Sequence, residues 1–118
     1  ILSVIPPDEF NHWIGVGEIM RAETRERIEA HFEVFAKWMR DRQNVHPELI
    51  IREGEPIIEI INQVAEDPDI GVLVLGAGTD NKGPGPLVTQ LTRQSGSLPI
   101  PITIVPGDLS KERLEAIT

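Results

Sequence analysis

A glycine-rich loop between two apolar stretches contains the residue types that proteins use to bind phosphate groups. The run VLVLGAGTDNKGPGPLV, residues 72–88, combines four glycines with two prolines and one lysine. Glycines allow backbone amides to point at an anion, and a helix beginning near Pro86 would offer its positive end. The two prolines remove two of those amide donors. The loop is therefore either a weak phosphate cradle or a turn between a strand and a helix.

The standard phosphate-binding motifs are incomplete in this loop. A P-loop requires Lys and then Ser or Thr after its last glycine, whereas Pro84 and Gly85 follow Gly83. A dinucleotide fingerprint requires a glycine at the position of Asn81. Any anion binding would rest on the glycine amides and the helix end.

Other chemistry has little support in the sequence. No Ser/His/Asp order or nucleophile elbow occurs, and the three histidines are not spaced as metal ligands: His12, His31 and His46. Asp8, Glu9 and His12, beside Trp13, could line a pocket. The interpretation we favour is that Phe10 and Trp13 cover the core beneath a long loop.

Length, charge and cysteine content narrow the class of protein. The chain has 118 residues, enough for one domain over residues 1–118. Its net charge of −8 makes nucleic acid an unfavourable partner. It contains no cysteine, so it needs no oxidising compartment, and no apolar run approaches a membrane span. We expect a cytoplasmic protein without a membrane contact.

Hydrophobic periodicity predicts alternating strands and helices. The run IGVLVLG is apolar without alternation, as expected for a strand that is covered on both faces. Met20, Ile28, Phe32 and Phe35 recur at helical spacing. The pattern predicts strands over residues 1–5, 49–51, 70–76 and 100–105, and helices over 18–44, 56–66, 86–93 and 110–117. Such alternation is typical of an α/β fold with a doubly wound, mostly parallel sheet and helices on both faces.

Several segments together resemble the second half of a universal stress protein domain. They are REGEPIIEII, DPDIGVLVLGA, the glycine loop, a short helix and IPITIVP. The resemblance covers nearly all of residues 1–106. It implies an adenine-nucleotide-binding-like fold with five parallel strands, of which the first strand and helix are absent here. It therefore also implies that the natural protein is longer or that another chain supplies that strand.

The family's nucleotide cradle is only partly matched. ATP-binding members carry G-x2-G-x9-G-[ST], whereas Thr79 stands at the second glycine position and Pro86 follows Gly85. The resemblance implies ATP or ADP as the possible ligand. The candidate nucleotide-binding residues are Gly76, Gly78, Thr79, Lys82, Gly83, Gly85 and, in the first strand, Val4.

The resemblance also implies a homodimer that pairs the last strand with its copy. An apolar edge strand whose backbone groups are unpaired tends to pair with a strand of another chain, which agrees with this expectation. The candidate interface residues are Ile100, Ile102, Ile104 and Val105.

Two functions follow from the resemblance. The first is a dimeric binding or regulatory module of the stress response, without catalysis and without a full ATP motif. The second is an ATP- or ADP-binding switch, or a very slow ATPase, that uses the loop over residues 76–86. The incomplete motif favours the first.

Overall fold

The computed structural model describes residues 1–7 and 16–117. In chain order its elements are β1 (Leu2–Ile5), α1 (Val16–Gln43), β2 (Ile50–Glu53), α2 (Pro56–Glu66), β3 (Leu73–Ala77), α3 (Pro86–Arg93), a 3-10 turn (Ser95–Ser97), β4 (Ile102–Pro106) and α4 (Lys111–Ile117). The pocket suggested around Asp8, Glu9 and His12 lies outside the described residues. Within them the predicted mixed α/β composition and parallel strand pairing are confirmed.

The described strands form two separate two-stranded parallel sheets, β1–β2 and β3–β4. The doubly wound sheet expected from the alternation stays a prediction. The chain divides into two compact units, Ile1–Ile60 and Ile61–Thr118, and each contains one of these sheets. The assignment of residues 1–118 to one domain also stays a prediction.

The first unit is built on the β1–β2 pair. Leu2 lies opposite Ile50 and Ile5 lies opposite Glu53, and the Gly54 amide extends the ladder by donating to the Ile5 carbonyl at 3.0 Å. Ile5, the last residue of β1, is almost fully buried, and α1 packs on this strand. The buried apolar side chains here are Ile5, Ala36, Ile57 and Ile60.

An ion pair joins strand β2 to helix α2 in the first unit. The Arg52 Nε donates to Glu59 Oε2 at 2.6 Å, and the two side chains are only 21% and 18% exposed. Gly54 lies under this pair with a φ of 149°. A Cβ atom at residue 54 would lie 2.6 Å from Glu59 Oε1, so the site requires glycine for space as well as for conformation.

The second unit is built on the β3–β4 pair, with α3 packed on β3. Leu73 lies opposite Ile102 and Ala77 lies opposite Pro106. Helix α3 begins at Pro86, as predicted, because a first helical residue needs no N–H donor. The buried apolar side chains are Val64, Leu75, Val88 and Leu91.

Strand β3 differs from its prediction in length and in burial. It begins at Leu73, three residues later than expected, because the Leu73 amide is the first to bond to the partner segment, at the Pro101 carbonyl. The expectation that both faces are covered was wrong: Val74 is 59% exposed, whereas Leu75 is 8% exposed. A continuous apolar run cannot reveal that α3 packs on this two-stranded sheet.

Candidate anion-binding loop

The loop over residues 78–85 connects the end of β3 to the start of α3. Its two limbs are joined by a hydrogen bond from the Gly78 amide to the Pro84 carbonyl at 3.0 Å. The Gly107 amide donates to the Ala77 carbonyl at 2.9 Å, which fixes the start of the loop against the segment after β4. The loop is therefore anchored to the sheet by backbone bonds.

Asp80 organises the tip of the loop. Its Oδ1 accepts a hydrogen bond from the Lys82 amide at 2.9 Å, and its carbonyl accepts one from the Gly83 amide at 3.3 Å. Aspartate at the first position of a turn and glycine at the fourth are typical of this arrangement. The Asp80 carboxylate thus places a negative charge at the tip of the loop.

Three of the loop glycines have a structural reason to be glycine. Gly83 and Gly85 adopt φ values of 91° and 102°, which residues with a side chain rarely adopt. At residue 78 a Cβ atom would lie 3.0 Å from the Gly83 carbonyl oxygen, so the two limbs approach closely. Gly76, by contrast, lies in β3, and a Cβ there would meet nothing within 4 Å. The backbone alone accounts for most of the glycine content.

The amide donors of the loop are partly consumed. The amides of Gly78, Lys82 and Gly83 bond inside the loop, and Pro84 has none; Pro86, the first residue of α3, also lacks one. In the described part of the chain, the remaining loop amides donate no hydrogen bond: Thr79, Asp80, Asn81 and Gly85. These four are the only loop amides that an anion could recruit without breaking an existing bond.

Five of the seven candidate nucleotide-binding residues lie in this loop, and a sixth, Gly76, lies just before it in β3. Thr79 and Lys82 are exposed on the loop, where their side chains can reach solvent. Val4 belongs to the first unit, half-buried in β1 and opposite Arg52. The role of Asp80 was not predicted, although the Asp-Asn-Lys-Gly order of residues 80–83 is a turn signature.

Two of the candidate interface residues, Ile102 and Ile104, lie on strand β4, which pairs with β3 alone among the described strands and so has one free edge there. The Pro101 carbonyl accepts from the Leu73 amide and the Gly107 amide donates to the Ala77 carbonyl. Pro101 and Gly107 therefore turn their backbone groups toward β3. Alternate residues of a parallel ladder face opposite neighbours, so Ile102 and Ile104 turn theirs away. Pro106 shares that outward phase, and its missing N–H therefore costs no bond to β3.

The two remaining candidate interface residues are placed differently. Val105 lies in β4, but its backbone amide and carbonyl face β3, and its side chain is half-buried. Ile100 lies two residues before the strand begins. The free backbone edge is therefore carried by Ile102 and Ile104.

Comparison with known proteins adds no assignment: neither a family model nor a curated protein nor a solved structure matches the chain. No group of three or more His, Cys, Asp or Glu residues that could hold a metal ion occurs over residues 1–7 and 16–117. Over the same residues, no helix is long and apolar enough to cross a membrane.

Proposed function

We propose that this chain is a dimeric binding or regulatory module of universal-stress-protein type, in which the glycine loop is a structural turn. The hydrogen bonding of the loop amides carries the proposal. Three amides are consumed by loop contacts, Pro84 and the first residue of α3, Pro86, have no donor, and the Asp80 carboxylate already accepts from the loop tip. A phosphate entering the loop would meet that negative charge. The role in stress response rests on the sequence resemblance.

A dimer through β4 is part of this proposal. The free edge of β4 can donate from the amides of Ile102 and Ile104 and can accept at Pro106. With a twofold axis at Ile104, the two copies exchange bonds there, and each Ile102 amide donates to the Pro106 carbonyl of the other copy. The ladder is short, so packing of the isoleucine side chains must supply much of the stability.

The second candidate is a nucleotide-binding switch or a very slow ATPase. It is favoured by the four unused loop amides and by the positive end of α3, which begins directly after Gly85. Thr79 and Lys82 would then contact the phosphates. This candidate requires the loop to bind an anion despite Asp80.

Calorimetric titration of the full-length protein with ATP and ADP separates the two candidates. We expect no heat of binding at millimolar nucleotide. The matched variants are Lys82→Ala, which removes the loop cation but keeps its backbone bond to Asp80, and Lys111→Ala, which removes an exposed cation from α4. Micromolar binding that weakens in Lys82→Ala but not in Lys111→Ala would reject the structural-turn proposal and establish the switch.

A further inference from the structure

Within residues 1–7 and 16–117, helix α1 leaves an apolar surface uncovered. It spans 28 residues, yet Ala36 is the one residue whose side chain is buried among those described in this helix. Val34 is 74% exposed, and Trp38, one turn further along, is 48% exposed. Valine and tryptophan in adjacent turns of one helix face form an apolar surface, and covering it is favourable because apolar side chains are removed from water.

Five residues on this face are spaced symmetrically about Val34. Ala30 precedes Val34 by four residues and Trp38 follows it by four; Arg27 precedes it by seven and Asp41 follows it by seven. Residues three, four and seven apart share one face of a helix, and all five are exposed. The order along the face is basic, small, apolar, large aromatic, acidic. We call these five residues the α1 face.

We propose that the α1 face binds a second copy of this chain, with the two α1 helices antiparallel about a twofold axis at Val34. The axis places Val34 against its own copy. It places Trp38 of each copy against Ala30 of the other, so that a large side chain meets a small one. It also places Arg27 of each copy against Asp41 of the other.

Charge complementarity argues for a copy as the occupant. One end of the α1 face is basic and the other is acidic, so an antiparallel copy forms two ion pairs, whereas a parallel copy opposes like charges. The Arg42 guanidinium already lies over the Trp38 ring, 5.9 Å from its centroid. That contact favours one orientation of the indole before pairing.

This interface is distinct from the β4 edge. The α1 face lies wholly in the first unit and β4 lies in the second, so neither interface shares a residue with the other. An experiment on α1 can therefore fail while the β4 dimer stands, and the reverse also holds.

A single cysteine at the axis tests the geometry directly, because the chain contains no other cysteine. In Val34→Cys the two thiols of a pair would meet on the twofold axis. We expect copper-phenanthroline oxidation of the full chain to give a covalent dimer on a non-reducing gel. The control is Ile58→Cys, since Ile58 is 55% exposed on α2 and lies off the α1 face. Equal cross-linking rates for the two variants would overturn the proposal.

Charge reversal in the Val34→Cys background tests the antiparallel arrangement. Arg27→Asp and Asp41→Arg each oppose like charges twice, because the axis doubles every contact. We expect each to slow cross-linking by about tenfold. The double variant restores two complementary pairs and should recover the parental rate, a result that loss of folding cannot produce.

Arg40→Asp is the matched control for the reversals, because Arg40 is exposed on α1 but lies outside the α1 face. We expect it to leave the cross-linking rate within about twofold of the parent. No rescue in the double variant, or an equal effect of Arg40→Asp, would refute the paired arrangement.

Discussion

Leu91 is 0% exposed, the most completely enclosed side chain in the described part of the chain. It lies on α3, in the unit that also holds the glycine loop. We predict that Leu91→Ala lowers the free energy of unfolding by about 2–5 kcal/mol, because it leaves a cavity in the core of that unit. Urea denaturation followed by far-ultraviolet circular dichroism measures the change.

Leu87→Ala is the control for this prediction, since Leu87 lies on the same helix and is 37% exposed. We expect a loss of at most about 1 kcal/mol. Equal losses in the two variants would mean that Leu91 does not lie in a close-packed core.

Gly54 gives a second residue-scale prediction. Its φ of 149° and the 2.6 Å separation between a Cβ atom at this position and Glu59 Oε1 both penalise alanine. We predict that Gly54→Ala costs about 1–3 kcal/mol of unfolding free energy, because the side chain must displace the Arg52–Glu59 ion pair. Chemical denaturation tests it.

The comparison variant is Gly71→Ala, because a Cβ at residue 71 meets nothing within 4 Å. It should be neutral or slightly stabilising. A similar loss of unfolding free energy in both variants would mean that the effect at Gly54 comes from reduced chain flexibility. That result would contradict the role of the ion pair.

Residue partners were the part of the structure that the sequence could least predict. Arg52 and Glu59 are seven positions apart on a strand and a helix, and no periodicity links two such elements. The Asp80 turn was different, because its bonds are local and its Asp-Asn-Lys-Gly order signals them. Local hydrogen bonding can be read from sequence, whereas tertiary pairing needs the fold.

At the scale of elements, the sequence predicted the order of strands and helices well. Helix α1 was expected from residue 18 and begins at Val16, and α3 has the predicted bounds, because apolar spacing and Pro86 mark them. Strand β3 was predicted to start too early, since the apolar run begins at Ile70, before the first ladder bond at Leu73. Pairing of the strands into one sheet or two is set by partners that are distant in sequence.

Strand β4 gives the prediction that belongs to this scale. Ile104 is the central residue of the strand and is 42% exposed. Its backbone amide and carbonyl face away from β3, toward the free edge. We predict that Ile104→Lys abolishes pairing through β4, because a lysine on an edge strand opposes addition of another strand. Light scattering after size-exclusion chromatography reports the mass.

Ile58→Lys adds the same charge at an exposed apolar site on α2 and should leave the mass unchanged. A mass that Ile104→Lys does not lower, in a variant whose circular dichroism is native, would remove the β4 edge from the proposed function.

At the scale of the whole molecule, two independent twofold interfaces predict assemblies larger than a dimer. We expect Val34→Glu to leave dimers joined through β4, and Ile104→Lys to leave dimers joined through α1. The double variant should be monomeric. Sedimentation velocity distinguishes these masses.

Salt gives an additional check on the assemblies, because the α1 face depends on ion pairs and the β4 edge does not. High salt should weaken the α1 dimers selectively. Larger assemblies that persist in the double variant would point to an interface other than these two.

The parallel pairing of the strands also bears on the order in which the molecule folds. Leu2 must find Ile50 to form β1–β2, whereas Leu73 finds Ile102 across a shorter stretch of chain. The difference in loop-closure entropy is about 0.5 kcal/mol in favour of β3–β4. Amides of the β3–β4 pair should therefore gain protection from hydrogen exchange before those of β1–β2 during refolding, and the C-terminal half of the chain would acquire its structure first.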